Sequence, residues 1–176
     1  MKKVVLLTIF AALMMISSAA VAQTATGTLT VTATVQGSIG LVFNSDASGV
    51  ALASGAGTNT ATLAFGNVSA FGAIAAGIVR STTATNFTVS SAVDVQVSKT
   101  NSASANYTLK AQLGAADAVN TWSVGGIAVT NAAQSTLTAT GTYGANSNFP
   151  VAITVPFTTA SGTLISNTIN YTATAN

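Results

Sequence analysis

The sequence predicts an all-β domain, a sandwich or a barrel, behind an N-terminal export signal. Period-2 alternation of apolar and polar residues runs through nearly everything after Gln23, and the alternating segments are short and bounded by Gly, Asn, Ser or Asp. No stretch after Gln23 has a convincing helical period.

The first residues have the make-up of a secretory signal. Lys2 and Lys3 supply the positive end, Val4 to Ile16 the apolar run, and Ala20 and Ala22 the small residues ahead of a cut before Gln23. The apolar run falls short of the roughly 20 residues a membrane-crossing helix needs, so the mature chain is expected to have no membrane span.

Thr24 to Ser38, TATGTLTVTATVQGS, comes next and places Leu29, Val31, Ala33 and Val35 on one side of an extended chain and threonines on the other. It is expected to be a half-buried strand. Further strands are expected at Ile39–Phe43, Ala61–Gly66, Thr85–Ser90, Ala92–Ser98, Asn106–Leu113, Thr121–Val124, Gly126–Thr130, Ser135–Tyr143, Phe149–Phe157 and Thr163–Ala173. Phe71 to Val79 is apolar, but its glycines weaken a helix, leaving a short helix or an irregular loop. Asn44 to Asn59 is small and flexible enough to form a long exposed loop. Pro150 and Pro156 flank VAITV and predict an edge strand, where a missing amide donor costs little.

Removing the signal also changes the charge. Of five basic residues, Lys2 and Lys3 leave with it, and Arg80, Lys99 and Lys110 remain against Asp46, Asp94 and Asp117. The mature chain is therefore neutral, and the basic isoelectric point of 9.2 belongs to the precursor and gives no footing for nucleic acid. The chain has no cysteine, so packing and sheet hydrogen bonds must supply stability in a compartment that permits disulfides. A neutral surface rich in Thr, Ser, Asn and Gly suits a protein packed into an assembly better than a freely dissolved monomer.

The residue inventory argues against an enzyme and against a bound cofactor or metal. Histidine and cysteine are absent, which removes the usual base, thiolate and soft metal ligands. Asp46 is expected in the loop, Asp94 on an outward strand face and Asp117 in a turn; Lys99 and Lys110 are read as exposed strand lysines rather than partners of a nucleophilic serine. Tyr107, Trp122 and Tyr171 share a side with Leu109, Val124 and Ile169, so core filling is favoured over a sugar-binding surface. A single threonine row is too little for an ice-binding array, and the Asn-x-Ser/Thr triplets at Asn67, Asn86, Asn106 and Asn170 are what so Asn-, Ser- and Thr-rich a chain yields by chance.

TGTLTVTATVQGS near the mature start, ATLAFGNVSAFG at Ala61–Gly72 and the final SNTINYTATAN, in this order and spacing, resemble the Csu-type (archaic) chaperone–usher pilins, which share the spore coat protein U domain. The resemblance implies an immunoglobulin-like β-sandwich that lacks its last strand and is completed by donor-strand exchange. It divides the chain into a signal peptide (1–22), an N-terminal donor strand (23–36) and a pilin-like sandwich (37–176). Leu29, Val31, Ala33 and Val35 become the donor side chains, and Ile165, Ile169 and Tyr171 flank the acceptor groove, which is also the chaperone's docking edge. The implied partners are other copies or related pilins, a periplasmic chaperone and an outer-membrane usher, with the filament at the cell surface supporting adhesion or biofilm formation. One domain implies a stalk subunit rather than a tip adhesin.

Burying three large aliphatic donors and one alanine offers on the order of 5–10 kcal/mol before ladder hydrogen bonds. One departure from the family is plain. A half-cystine usual after the donor segment is replaced by Ser38, and its partner region around Ser98 and Lys99 also lacks cysteine. The rival expectation is a monomeric secreted binding module, for a glycan or surface ligand, in which Thr24 to Gln36 pairs with its own sheet.

Overall fold

Between Asn86 and Leu113 the alternation is so regular that each strand has one face of Phe, Val, Leu or Tyr to bury and another of polar residues to leave outside. The computed structural model describes residues 26–176. The expected signal peptide (1–22), with Gln23, Thr24 and Ala25, lies outside that range. Contacts divide the chain between Thr34 and Val35, and residues 26–34 of the first unit carry no strand.

The second unit is all-β, with no helix among the described residues. Its strands are β1 (Ser38–Ser45), β2 (Val79–Thr82), β3 (Asn86–Ser91), β4 (Val93–Thr100), β5 (Tyr107–Leu113), β6 (Thr121–Val124), β7 (Ile127–Val129), β8 (Ser135–Gly141), β9 (Asn146–Asn148), β10 (Val151–Pro156) and β11 (Ile169–Ala175). They form three antiparallel sheets, ordered β1-β4-β9, β2-β3-β10-β6-β7 and β11-β5-β8. Only Ala92 separates β3 from β4, so one extended stretch serves two sheets. Its odd-numbered residues, Phe87 through Val97, stay on the buried side throughout.

The buried side chains form two clusters. Phe87, Val89, Trp122, Val124, Ile153 and Val155 are at the heart of the larger, and Val95, Val97, Tyr107 and Leu109 make the smaller; Phe43, Leu137, Phe149 and Tyr171 pack on both. Antiparallel sheets around a shared core are the arrangement of a β-sandwich. Two local features fix geometry. Gly125 and Gly126 both take positive φ (58° and 78°), as a two-residue hairpin between β6 and β7 requires. Gly141 faces the Tyr107 ring, where an added Cβ would lie 2.2 Å from a ring carbon, so that ring reaches full burial only beside glycine.

Several expectations are corrected. Thr26 to Gly37 is extended sequence without a strand, because a strand needs a ladder partner and none of the described residues supplies one. Ala61–Gly66 makes only an isolated bridge through Thr62, although Leu63 and Phe65 turn into the core as their alternation implied. Thr163–Thr168 is irregular, and the last strand starts at Ile169. The loop after Ser45 is less exposed than expected, since Val50 and Leu52 pack on the larger cluster.

The prolines do bracket a strand, but β10 is central, between β3 and β6. They sit at its ends, where Pro150 contributes only a carbonyl to Gly125 (2.8 Å) and Phe157, not Pro156, donates to Thr85 (2.9 Å). The polar strands β2 and β9 carry no alternation of apolar residues that would reveal them in sequence.

Candidate functional site

Two strands end their sheets on the same side of the domain. β1 is laddered only to β4, and β11 only to β5. Register places Leu41 and Phe43 opposite Val97 and Val95, and Ile169, Tyr171 and Ala173 opposite Leu113, Ala111 and Leu109. Val95, Val97, Leu109 and Ala111 are fully covered, whereas the edge residues facing them are only half-buried. An apolar seam therefore runs between β1 and β11.

The edges lie side by side in opposite directions. The rings of Phe43 and Tyr171 meet edge-to-face with centroids 5.1 Å apart; Leu41 and Ala173 both pack on the smaller cluster, and Ile169 on the larger. β1 and β11 approach within 8 Å between Cα atoms, yet no ladder joins them. A strand added along this seam would run parallel to one edge and antiparallel to the other.

The outer edge of β1 is already engaged at one point. Phe43 N–H donates to the carbonyl of Thr58 (2.8 Å), and Gly57 N–H donates to the carbonyl of Phe43 (2.7 Å). The loop carrying these groups is braced by the Ser54–Thr62 bridge and by the Thr58 hydroxyl, whose single proton lies within reach of the carbonyls of Gly55 and Thr60 (both 2.8 Å). Leu41 and Ile39 lie beyond its reach.

Ile165, Ile169 and Tyr171 all pack on the larger cluster, Ile169 and Tyr171 from β11 and Ile165 from the irregular stretch ahead of it rather than from the last strand as expected. Burial raises the Tyr171 hydroxyl well above the ordinary tyrosine range. Leu29, Val31 and Val35 are 88%, 81% and 74% exposed, and Ala33 is exposed too, so the apolar stripe is uncovered in this chain. Sequence reasoning missed Leu41, Phe43 and the Gly57–Thr58 loop. Leu41 and Phe43 were legible as the inward pair of the Ile39–Phe43 alternation; the loop contact, made by main-chain atoms, leaves no side-chain signal.

Asn167 continues the β11 edge by a side-chain device. Its carboxamide accepts from Ala115 N–H (3.3 Å) and donates to the Ala115 carbonyl (3.0 Å), taking the place of a peptide group just before the ladder begins. Next to it is a hollow lined by Asp117, Asn120, Thr159, Leu164, Ile165 and Asn167.

The aspartates have local duties. Asp117, in its turn, accepts from the N–H groups of Val119 and Asn120 and from Trp122 Nε1 (2.8 Å). Desolvation works to raise its pKa, but bonds from the Asn120 N–H, Trp122, the Asn120 amide and the Val119 N–H together outweigh it and hold it at about 2. Asp94 accepts from Asn146 and Asn148 on the outward face of β4, and Asp46, in its loop, is held below the usual carboxylate range chiefly by the Ser48 hydroxyl. Lys99 reaches the Ser104 carbonyl and lies over the Tyr143 ring at 5.0 Å. Tyr107 and Trp122 are buried in the core. Among the described residues no cluster of three or more acidic, His or Cys residues is placed to hold a metal, and no helix is long and apolar enough to cross a membrane.

Ser38 opens β1 opposite Thr100, one residue beyond the expected partner region, and the two hydroxyls share a hydrogen bond of 2.8 Å. Comparison with family models, curated proteins and solved structures finds no match to this chain.

Proposed function

We propose that this chain is a structural stalk subunit of a bacterial surface fimbria, assembled by donor-strand complementation. The observation that carries the reading is the seam: two antiparallel edges, joined by no ladder and engaged on the β1 side only at Phe43, flank half-buried Leu41, Phe43, Ile169 and Tyr171. The same chain carries an exposed, alternating segment with no strand partner, Leu29 to Val35. Laid along the seam of another copy, that segment would gain ladder hydrogen bonds and bury its stripe, the mode of β-strand addition. An immunoglobulin-like sandwich short of its final strand accounts for both features.

The reading brings with it a cleaved signal peptide, a periplasmic chaperone that fills the seam in transit, an outer-membrane usher, and a place at the cell surface in adhesion or biofilm formation. It is not an enzyme and uses no cofactor. Removing Thr24–Gln36 tests it: the shortened chain should still take up a peptide of that sequence but never extend a polymer. A shortened chain that ignores the peptide refutes the proposal.

A second reading draws on the loop at Phe43. Because Gly57 and Thr58 already occupy part of the β1 edge, a monomeric secreted binding module with a self-sufficient domain is the alternative. Donor peptide uptake separates the two.

A further inference from the structure

We infer that Phe43 is a lock that holds the seam shut in the unassembled subunit, so that strand addition is gated by its release. The inference rests on the donor-strand reading and adds a regulatory contact to it. Geometry points to the lock. Neighbouring strands lie about 4.8 Å apart, so two edges must stand about 9.6 Å apart to admit a third strand between them. Here β1 and β11 come within 8 Å.

Phe43 closes the gap in two ways. Its ring meets Tyr171 across the seam, edge-to-face at 5.1 Å. Its main chain is bonded through both N–H and C=O to Thr58 and Gly57, groups an incoming strand would need at the same place. The loop thus protects an otherwise bare sheet edge with the chain's own backbone, as edge strands in soluble proteins require. The Gly57–Thr58 loop can let go without unfolding the core, since both residues are exposed.

The test uses the chain exported from cells, dilute enough to stay unassembled, and a fluorescent peptide of residues 27–36. Gly57→Pro removes the N–H that bonds to Phe43 and cannot keep the φ of 78° found there, so it detaches the loop from β1, and Phe43→Leu keeps an apolar side chain but loses the ring contact. Each should speed peptide uptake, the ring variant by roughly twofold to tenfold from the usual strength of an aromatic pair. Wild-type amide exchange gives a reading that does not depend on the variants folding: Gly57 N–H should be protected in the free chain and lose protection once peptide is bound.

Unchanged uptake rates together with unchanged Gly57 protection overturn the lock while leaving strand addition standing. No uptake by wild type or either variant overturns the lock and the donor-strand reading together.

Discussion

Val31→Asp separates a donor residue from a core residue. Val31 is 81% exposed in the single chain, so an aspartate there should change the domain's stability by no more than about 0.5 kcal/mol, the usual range for surface substitutions. In a neighbour's seam the same change forfeits about 1.5–3 kcal/mol of valine burial, and an unpaired carboxylate adds several kcal/mol of desolvation. The subunit–subunit association constant should fall on the order of a thousandfold or more. Thermal unfolding followed by Trp122, the sole tryptophan, checks the first half, and sedimentation of the assembled chain checks the second. A variant that melts well below wild type while its filaments form normally would refute the reasoning, because Val31 would then be packing within its own domain.

Other residues test the fold that supports the seam. Leu109→Ala empties a fully buried site on β5 within the smaller cluster and should cost about 2–5 kcal/mol in urea unfolding. Asp117→Ala strands the Trp122 N–H and should cost about 1–3 kcal/mol. Because the folded Asp117 pKa is depressed from 3.8 to about 2, its contribution is fully present above the higher value and fades as pH falls through the lower one, so wild type should lose stability over that interval more than the variant does. Ser38→Cys with Thr100→Cys should oxidise to a disulfide where the hydroxyls now meet; closing a loop across a separation of 62 residues should add roughly 4 kcal/mol, measured against the reduced form.

The all-β class and most strands were legible because β3, β4, β5, β6 and β10 bury one face each, and a period of two records that directly. Alternation reports a wish for burial rather than a ladder. Leu63 and Phe65 are half-buried against the core without a strand, and Leu29 and Val31 alternate as well as any core strand yet remain exposed. Proline placement misled for a related reason: it marks where a strand stops donating, which is an end for β10 rather than an edge. Of the candidate site, the inward alternation of Ile169 and Tyr171 was legible in the sequence, whereas Ile165 lies ahead of β11 rather than on it, and the groove role of all three came from the resemblance alone. The Phe43 contacts were not, since a main-chain bond to Gly57 and Thr58 depends on loop conformation, which residue type hardly constrains.

Ser38 marks where the chain departs from the family it resembles, and the structure gives that departure a physical form. The hydroxyl pair with Thr100 joins β1 to β4 at the same corner, directly after the exposed segment. A hydroxyl–hydroxyl bond at an exposed position is worth about 1 kcal/mol, well below a disulfide, so the start of β1 relies on its ladder to β4.

The central claim is that the segment from Leu29 to Val35 is buried in another subunit. Amide exchange at Val31, measured on the exported chain in both monomeric and sedimentable fractions, tests it most directly. The account predicts rapid exchange in the monomer and strong protection in the polymer. A chain that stays monomeric with Val31 protected would contradict it.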